Sequence, residues 1–369
     1  MKLLIIAGAR PNFIKVAPLI EEINRLNKIN KLTYKLVHTG QHYDYEMSKI
    51  FFQDLKIPKP DYNLGVGSGS HAWQTAKIME KLEPVILKEK PNLVIVVGDV
   101  NSTLAGALVA AKLLIPVAHI EAGLRSFDMT MPEEINRCLT DHVSDLLFIT
   151  EPSGVKNLFK EGINKKKIFL VGDVMIDALI SSKSKIQRSK VLERLKLKKK
   201  DYAILTLHRP ANVDDKKMLS DLISAFDEIQ KRIKVIYPIH PRTAKQIKKF
   251  KLQKRLSQME NFIIIPPVGY VDMIKLTSES KFVMTDSGGI QEETTFLKVP
   301  CLTLRENTER PITIEKGTNI LCKRNKEKII KEVKKILSGK EKKGQTIKLW
   351  DGKTAERIVK ILIKSNKGL

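Results

Sequence analysis

Four residues that can transfer protons stand at the ends of predicted strands or at the start of a predicted helix. Asp99 and Glu121 each end an apolar strand, Glu133 opens a helix, and His208 follows a strand in the second half of the chain. Carboxylates and imidazoles are the usual general acids and bases of enzymes. A single acid at such a position is most often a helix cap, but several at equivalent ends indicate a proton-transfer site. Ligands of parallel sheets bind at this edge, so these residues are the candidate catalytic groups.

A Ser-Gly-Gly turn indicates a second kind of chemistry. Ser287, Gly288 and Gly289 lie between a buried strand predicted at 281–284 and a helix predicted at 290–297. Backbone N–H groups at the start of that helix, together with the helix dipole, suit a phosphate or pyrophosphate. The other interpretation is an ordinary tight turn with capping residues, and the turn by itself does not separate the two.

Charged residues extend the candidate anion site. Glu292 and Glu293 follow the turn, where a carboxylate can accept hydrogen bonds from neutral hydroxyls such as those of a ribose. Arg10 and Lys15 lie in the turn and first helix after the first predicted strand, again at the carboxyl end of a strand. A pair of cations at that place favours an anion site over two unrelated surface charges.

The alternation of apolar strands and amphipathic helices predicts parallel sheets and an α/β fold. We expect two Rossmann-like domains that face a central cleft: residues 1–172, and residues 173–351 as the nucleotide-binding domain. A helix at 352–366 carries Ile358, Val359 and Leu362 on one face and is expected to rejoin the first domain.

Composition excludes several classes of protein. The net charge of +25 raises nucleic acid as a partner, but the lysines are spread over helical surfaces and aromatic residues do not interleave with them, as a single-strand binder requires. Three scattered cysteines indicate a reducing compartment, and no apolar run is long enough to cross a bilayer. We expect a cytoplasmic protein that binds neither membrane nor nucleic acid.

Familiar cofactor motifs are missing from the sequence. It contains no CxxC or HExxH pattern for zinc, no GxSxG nucleophile turn and no Walker loop. No GxGxxG follows the first strand, so a nicotinamide cofactor is not expected.

Eight short motifs, in this order, give the chain a family resemblance. They are GARP (8–11), TGQH (39–42), GD (98–99), HIEAGLR (119–125), PEEINR (132–137), LHR (207–209), TDSGGIQEE (285–293) and RENTERP (305–311). Together they resemble the non-hydrolysing UDP-N-acetylglucosamine 2-epimerases, where UDP is uridine diphosphate. The resemblance implies a glycosyltransferase-B-like fold and the interconversion of UDP-N-acetylglucosamine (UDP-GlcNAc) with UDP-N-acetylmannosamine, without metal or cofactor. It also implies a homodimer whose product feeds surface-polysaccharide synthesis.

The resemblance also implies roles for individual residues. Family positions around the sugar match Asp99, Glu121 and Glu133, and the family histidine matches His208; which acid serves as base stays open. Family positions that bind UDP match a further set, namely Arg10, Lys15, Met273, Ser287, Gly288, Gly289, Glu293 and Arg310. Met273 belongs to this set only through the loop at 268–273, where members hold the uracil and this sequence shows no motif of its own.

Two questions stay open at the level of sequence. Bacterial members have a regulatory substrate site that involves the loop matched by Gln41 and His42 and the arginine after His208, but Tyr43 and Pro210 depart from that pattern. The alternative functions are a nucleotide-sugar glycosyltransferase of the same fold and, in a different class, a basic nucleic-acid-binding protein. The three acids and the HIEAGLR motif favour epimerisation.

Overall fold

The computed structural model describes residues 1–30, 32–40, 55 and 57–365. The chain forms two compact units, Met1–Ser181 with Lys348–Leu369 and Ser182–Ile347. The sequence places the boundary after Gly172, whereas contacts divide the chain after Ser181. The difference arises because the helix Val174–Ser181 packs on helices of the first unit.

The first unit contains a parallel sheet in the order β3-β2-β1-β4-β5-β6-β7. Its strands are β1 (Lys2–Ala7), β2 (Thr33–His38), β3 (Tyr62–Asn63), β4 (Leu93–Val97), β5 (Val117–Ala122), β6 (Leu146–Ile149) and β7 (Ile168–Leu170). Every residue of β4 and β5 is buried, as continuous apolar strands of parallel sheets require. β5 nevertheless carries two polar residues, His119 and Glu121.

Helices cover this sheet. They are α1 (Arg10–Asn30), α2 (His71–Glu89), α3 (Asn101–Lys112), α4 (Pro132–Val143), α5 (Pro152–Lys160) and α6 (Val174–Ser181). Side chains of β1 and β4 pack against α2 and α3 in one apolar cluster that includes Leu4, Ile6, Val94, Val96, Ile78, Leu82 and Ala105. α3 is rich in alanine, so it approaches the sheet closely.

The second unit repeats the architecture with a parallel sheet in the order β10-β9-β8-β11-β12-β13. Its strands are β8 (Tyr202–Thr206), β9 (Lys234–Pro238), β10 (Phe262–Ile265), β11 (Phe282–Thr285), β12 (Cys301–Thr303) and β13 (Asn319–Leu321). The helices are α7 (Lys183–Arg188), α8 (Val191–Arg194), α9 (Pro210–Val213), α10 (Lys216–Gln230), α11 (Pro241–Lys249), α12 (Gln253–Ser257), α13 (Tyr270–Glu279), α14 (Gly288–Leu297), α15 (Pro311–Glu315) and α16 (Lys326–Leu337). Separate apolar clusters lie on the two faces of the sheet.

The α/β class with two parallel sheets, predicted from the alternating pattern, is confirmed. The sequence did not predict β3 and β13, which are two and three residues long. Both contain an asparagine, Asn63 or Asn319, and neither has an apolar run long enough to stand out from its loops. Among the described helices, none is long and apolar enough to cross a membrane.

The last helix, α17 (Thr354–Ser365), belongs to the first unit and packs on α1 and α6. Ile358 and Leu362 are buried on its apolar face. Its first turn receives a cap from α6, since Asp177 Oδ2 accepts the N–H of Ala355 at 2.7 Å. Trp350 Nε1 donates to the carbonyl of Thr150 at 3.3 Å just before the helix.

We expect Ile358→Ala to lower the free energy of unfolding of the first unit by about 3 kcal/mol, because it removes buried methyl groups and leaves a cavity. Urea unfolding followed by circular dichroism measures the change. The exposed Lys360→Ala on the same helix serves as the control, with an expected change within about 0.5 kcal/mol. Equal effects of the two substitutions would contradict the packing of α17 on this unit.

Candidate active site

Glu121 occupies an unusual backbone position near the end of β5. Its φ is +71°, a left-handed conformation that is uncommon for a residue with a side chain. The pairing of β5 with β6 shifts register between Ile120 and Ala122, so Glu121 lies at a bulge. Its carboxylate is buried and contacts the ammonium of Lys15, from α1. Strain of this kind persists where the surroundings over-determine it, and it is common at functional sites.

The turn before α1 is fixed to the end of β4. Asn12 Oδ1 accepts the N–H groups of Gly8 and Ala9 at 3.2 and 3.0 Å, and Asn12 Nδ2 donates to the carbonyl of Val97 at 2.9 Å. At Gly98, where φ is +69°, an added Cβ would lie 3.2 Å from the Nζ atom of Lys15. The absence of a side chain at Gly98 therefore lets Lys15 approach the ends of β4 and β5.

Asp99 is ion-paired with Arg137, a guanidinium that is almost fully buried in α4. Arg137 also donates to Glu134 Oε2 from Nε at 2.9 Å and from Nη2 at 2.5 Å. Glu134 accepts the N–H groups of Ser126 and Phe127 at 3.0 and 2.7 Å. Burial raises the pKa of Glu134, but the Ser126 N–H and Arg137 lower it more strongly, so the net pKa lies below the usual range.

The two neighbouring glutamates at the start of α4 therefore have different surroundings. Glu134 is buried and bound on all sides, which makes it a structural acid. Glu133 is half-buried and, within the part of the chain that the structure describes, makes no hydrogen bond or ion pair. Of the pair, Glu133 has a carboxylate available for a ligand, as the sequence predicts.

In the second unit, His208 follows β8 and its ring is oriented by Asp286. The Nδ1 atom lies 2.8 Å from Asp286 Oδ1. The fully buried Asp286 also accepts the N–H groups of His208 and Arg209 at 2.9 and 2.8 Å, and an amide N–H of Asn212 at 2.9 Å. Burial raises the pKa of Asp286, but His208 and the backbone donors outweigh this effect and hold it at about 2. Because the ionised Asp286 binds Nδ1 of His208, Nε2 is the ring nitrogen left to bind a ligand.

The Ser-Gly-Gly turn begins α14, as predicted. Ser287 is the cap residue, but its side chain makes no cap hydrogen bond, and its own N–H donates to Thr285 Oγ1 at 2.9 Å. The N–H groups that follow at the start of the helix suit an anion. At Gly288 an added Cβ would lie 2.6 Å from Nη1 of Arg310 and 2.7 Å from Oε1 of Glu309. Gly288 is therefore needed for the guanidinium of Arg310 to lie beside the helix N-terminus.

Arg310 is held in a buried network of charges. Its Nε donates to Glu292 Oε1 and its Nη1 to Glu309 Oε1, each at 2.5 Å. Arg305 Nη2 contacts Glu309 Oε2 at 2.7 Å. Two carboxylates therefore fix the orientation of the Arg310 guanidinium beside the N-terminus of α14.

Glu293, one residue after Glu292, has a different environment. It is 4% exposed, and burial together with the neighbouring Glu292 raises its pKa to about 8. Within the described residues no hydrogen bond or ion pair of Glu293 occurs. A buried carboxyl group without a cation is suited to accept hydrogen bonds from a neutral hydroxyl ligand.

Each unit thus brings together part of the expected set. Lys15 meets Glu121, and Asp99 is paired with Arg137 of α4, the helix that Glu133 opens. Arg10 begins α1 half-buried. Met273 lies in α13, where its half-buried side chain packs against an apolar cluster. Gln41 and His42 lie outside the described residues. Within those residues no three His, Cys, Asp or Glu side chains are grouped as a metal site.

Sequence reasoning missed three residues that hold this site, namely Arg137 and the hydrogen-bonded pair His119 and Asp141, whose ring Nδ1 and carboxylate Oδ1 lie 2.7 Å apart. Each is a charged or polar side chain that is fully or almost fully buried. A signal existed for His119 and Arg137, because both lie within the motifs HIEAGLR (119–125) and PEEINR (132–137). Asp141 has no such signal, because its partners lie 16 to 22 residues away.

Comparisons with known proteins agree on one family. A family model described as UDP-N-acetylglucosamine 2-epimerase matches residues 24–363. The chain is 48% identical to the UDP-N-acetylglucosamine 2-epimerase homolog of Methanococcus maripaludis, covering 98% of this chain and 99% of that protein. It is 43% identical to the UDP-2,3-diacetamido-2,3-dideoxy-D-glucuronate 2-epimerase of Pseudomonas aeruginosa, covering 99% of this chain and 100% of that protein.

A solved structure extends this similarity to the fold. The crystal structure of the UDP-GlcNAc 2-epimerase of Methanocaldococcus jannaschii, in complex with UDP-GlcNAc and UDP, matches this chain with a TM-score of 0.92. The two sequences are 47% identical, and the match covers 99% of this chain and 100% of that one. The glycosyltransferase-B-like fold expected from the motifs is confirmed by this neighbour.

We expect Glu293→Gln to stabilise the second unit increasingly as the pH rises. The folded pKa of about 8 exceeds the ordinary value of 4.5, so the wild type loses stability between these values as the unfolded carboxyl ionises and the folded one does not. Glutamine does not titrate. The difference between the two urea midpoints should therefore widen from pH 5 to pH 8, and parallel pH profiles would contradict the buried, unpaired state of Glu293.

Proposed function

The chain belongs to the UDP-N-acetylglucosamine 2-epimerase family, and we propose on that premise that it interconverts UDP-GlcNAc and UDP-N-acetylmannosamine. The observation that carries the proposal is the position of Glu121, whose carboxylate lies on a strained β-bulge and contacts Lys15. Glu121 lies near the end of β5, and β5 pairs with β4, the strand that Asp99 follows. Two carboxylates at neighbouring strand ends are the groups that inversion of a C–H centre needs, one for each face.

The reaction follows from the chemistry of the sugar. The proton on C2 is not acidic, so it leaves as the bond from the anomeric carbon to the UDP oxygen breaks. A carboxylate takes that proton, the C–H electron pair forms the C1–C2 double bond, and UDP departs with the electrons of the C–O bond. The product, 2-acetamidoglucal, then regains UDP at C1 and a proton on the opposite face of C2. The atoms and charges balance without an oxidant or a metal.

We assign the sugar chemistry to the first unit. Asp99, Glu121 and Glu133 are the candidate acid and base groups, and Glu133 is the one whose carboxylate lacks a partner in the described chain. The ammonium of Lys15 offsets the negative charge of Glu121 in a buried place, where an unpaired carboxylate costs several kcal/mol. Arg10, at the first position of α1, is assigned to the diphosphate.

We assign UDP to the second unit. The N–H groups at the start of α14, at Gly288 and Gly289 after Ser287, suit the pyrophosphate, and Glu293 suits the ribose hydroxyls. His208 is oriented by the ionised Asp286 and is assigned to the leaving phosphate oxygen. Stabilising charge on that oxygen lowers the barrier to breaking the C–O bond. Arg310 is assigned to positioning the turn.

A relative makes a second substrate worth testing. The Pseudomonas aeruginosa protein, 43% identical over nearly the whole chain, is named for a UDP-2,3-diacetamido-2,3-dideoxy-D-glucuronate. The same elimination and re-addition at C2 serves either sugar. Initial rates with the two substrates at equal concentration decide between them, and the larger kcat/KM identifies the substrate class.

Two further expectations from the family accompany the proposal, namely a homodimer and a cytoplasmic location. The mass of the purified chain by light scattering tests the first. A glycosyltransferase of the same fold remains the nearest alternative activity, and product formation without any acceptor separates it from an epimerase.

The proposal predicts that UDP-GlcNAc incubated with the protein in D2O gains deuterium at C2 and yields the manno epimer, because the proton taken from C2 exchanges with solvent before re-addition. Proton NMR of the C2 position follows both changes. Folded protein that binds UDP but exchanges no C2 proton would refute epimerisation of this substrate.

Matched variants identify the groups responsible. Asp99→Asn, Glu121→Gln and Glu133→Gln should each lower the exchange rate by about 10²- to 10⁴-fold. The Kd for UDP should change less than threefold, since none of the three acids is assigned to UDP. The exposed Glu83→Gln in α2 is the control with unchanged rate. Equal losses of UDP binding and of rate would mean that the acids only position the substrate.

A further inference from the structure

One buried carboxylate holds the chain on both sides of Glu121. Asp141, in α4, is completely buried. Its Oδ1 receives Nδ1–H of His119 at 2.7 Å, and its Oδ2 receives the N–H of Gly123 at 3.0 Å and Nη1–H of Arg125 at 2.7 Å. These three donors belong to the residues two before, two after and four after Glu121.

The bonds to Asp141 hold the backbone of Glu121 in a strained conformation. A glutamate at φ +71° is strained relative to a residue in a regular strand. The bulge that turns Glu121 is bounded by His119 on one side and Gly123 on the other, and both are tied to the same Asp141. If these ties are released, the strand can relax towards regular pairing and carry the Glu121 carboxylate away from Lys15.

His119 also links β5 to the residue before Asp99. Its Nε2 lies 2.8 Å from the carbonyl oxygen of Gly98, and the N–H of Gly98 donates to the carbonyl of Ile120 at 3.0 Å. Gly98 is thus bound through both its N–H and its carbonyl to the strand that carries Glu121. His119 therefore ties the backbone just before Asp99 to the strand that carries Glu121.

The hydrogen bonds define the charge state of His119. Nε2 faces a carbonyl, which only accepts, so it carries a proton; Nδ1 faces the carboxylate of Asp141 and carries one as well. Burial raises the pKa of Asp141, but His119 and Arg125 outweigh it, so the pKa lies below its usual range. Arg125 continues to Glu161 through two bonds of 2.8 and 2.7 Å. The cations His119 and Arg125 and the anions Asp141 and Glu161 thus form one row whose net charge is zero.

We propose that Asp141 and His119 are positioning residues of the epimerisation, which hold Glu121 and the Gly98–Asp99 peptide at the separation that proton removal and return require. The inference rests on the proposed function for its kinetic part. Both side chains are completely buried and act only through the residues they bind. Reacting groups must be held within a fraction of an ångström, and a misplacement of about 1 Å costs on the order of 10²-fold in rate.

The kinetic test compares Asp141→Asn, His119→Gln and His119→Asn. We expect kcat per folded molecule to fall about 10²-fold in Asp141→Asn and His119→Asn, with the Kd for UDP within threefold of wild type. The longer amide of glutamine can still donate to the Gly98 carbonyl, so His119→Gln should retain more activity than His119→Asn. UDP-binding stoichiometry counts the folded molecules.

Ile358→Ala is the matched control, because it destabilises the same unit without touching the network. If Asp141→Asn and His119→Asn keep kcat per folded molecule within threefold of this control, their role is structural and the proposal is wrong. Equal rates of His119→Gln and His119→Asn would also contradict the part assigned to the Gly98 carbonyl.

A spectroscopic test needs no substrate and separates this inference from the proposed function. In free protein with ¹⁵N-labelled histidine, NMR should show one ring with both nitrogens protonated near neutral pH, and His119→Gln should remove that signal. A neutral His119 ring would contradict the proposed positioning role of His119 and Asp141, even if the wild type epimerises UDP-GlcNAc. Conversely, a doubly protonated ring in a protein without C2 exchange would sink the proposed substrate and leave the network intact.

Discussion

A charge inside a protein must be matched by opposite charge or by hydrogen-bond donors, because taking a carboxylate out of water costs several kcal/mol. The candidate site of the first unit is an arrangement of such matches. Lys15 faces Glu121, Arg137 joins Asp99 to Glu134, and Asp141 lies between a histidine and an arginine. Each cation orients an acid as well as stabilising it. The pairing that lets the acids exist at the ends of buried strands is therefore also what fixes their geometry.

The second unit meets the same constraint in two ways. Asp286 is fully surrounded by donors and has a pKa of about 2, so it stays ionised and orients His208. Glu293 pairs with no cation among the residues that the structure describes, and its pKa of about 8 means that much of it is protonated near neutral pH. A ligand hydroxyl that donates to the carboxylate form lowers that pKa. We expect ligand binding at Glu293 to release a proton, whereas Asp286 stays ionised in this range.

The sequence was sufficient where a single segment carries the signal. The apolar runs of β4 and β5 predict buried parallel strands, and Asp99 and Glu121 follow from their place at or near the strand ends. The resemblance already selects Glu133 over Glu134, and the structure adds a physical reason, because Arg137 and the backbone of a separate loop bind Glu134. Asp141 was out of reach because its partners lie 16 to 22 residues away. Met273 was assigned to the nucleotide by resemblance alone and stays a prediction; its partly buried side chain packs against an apolar cluster. Long-range pairing leaves no periodic trace in a sequence.

The central claim is that UDP is detached from the sugar and retained while C2 inverts. UDP-GlcNAc labelled with ¹⁸O in the oxygen that joins the sugar to the β-phosphate tests it directly. While UDP is bound and free of the sugar, that phosphate can rotate, so the account predicts that ¹⁸O appears in non-bridging positions of recovered UDP-GlcNAc, as seen by ³¹P NMR. Formation of the manno epimer with all of the label still in the bridge would show that C2 inverts without cleavage of the C–O bond, and would contradict the account.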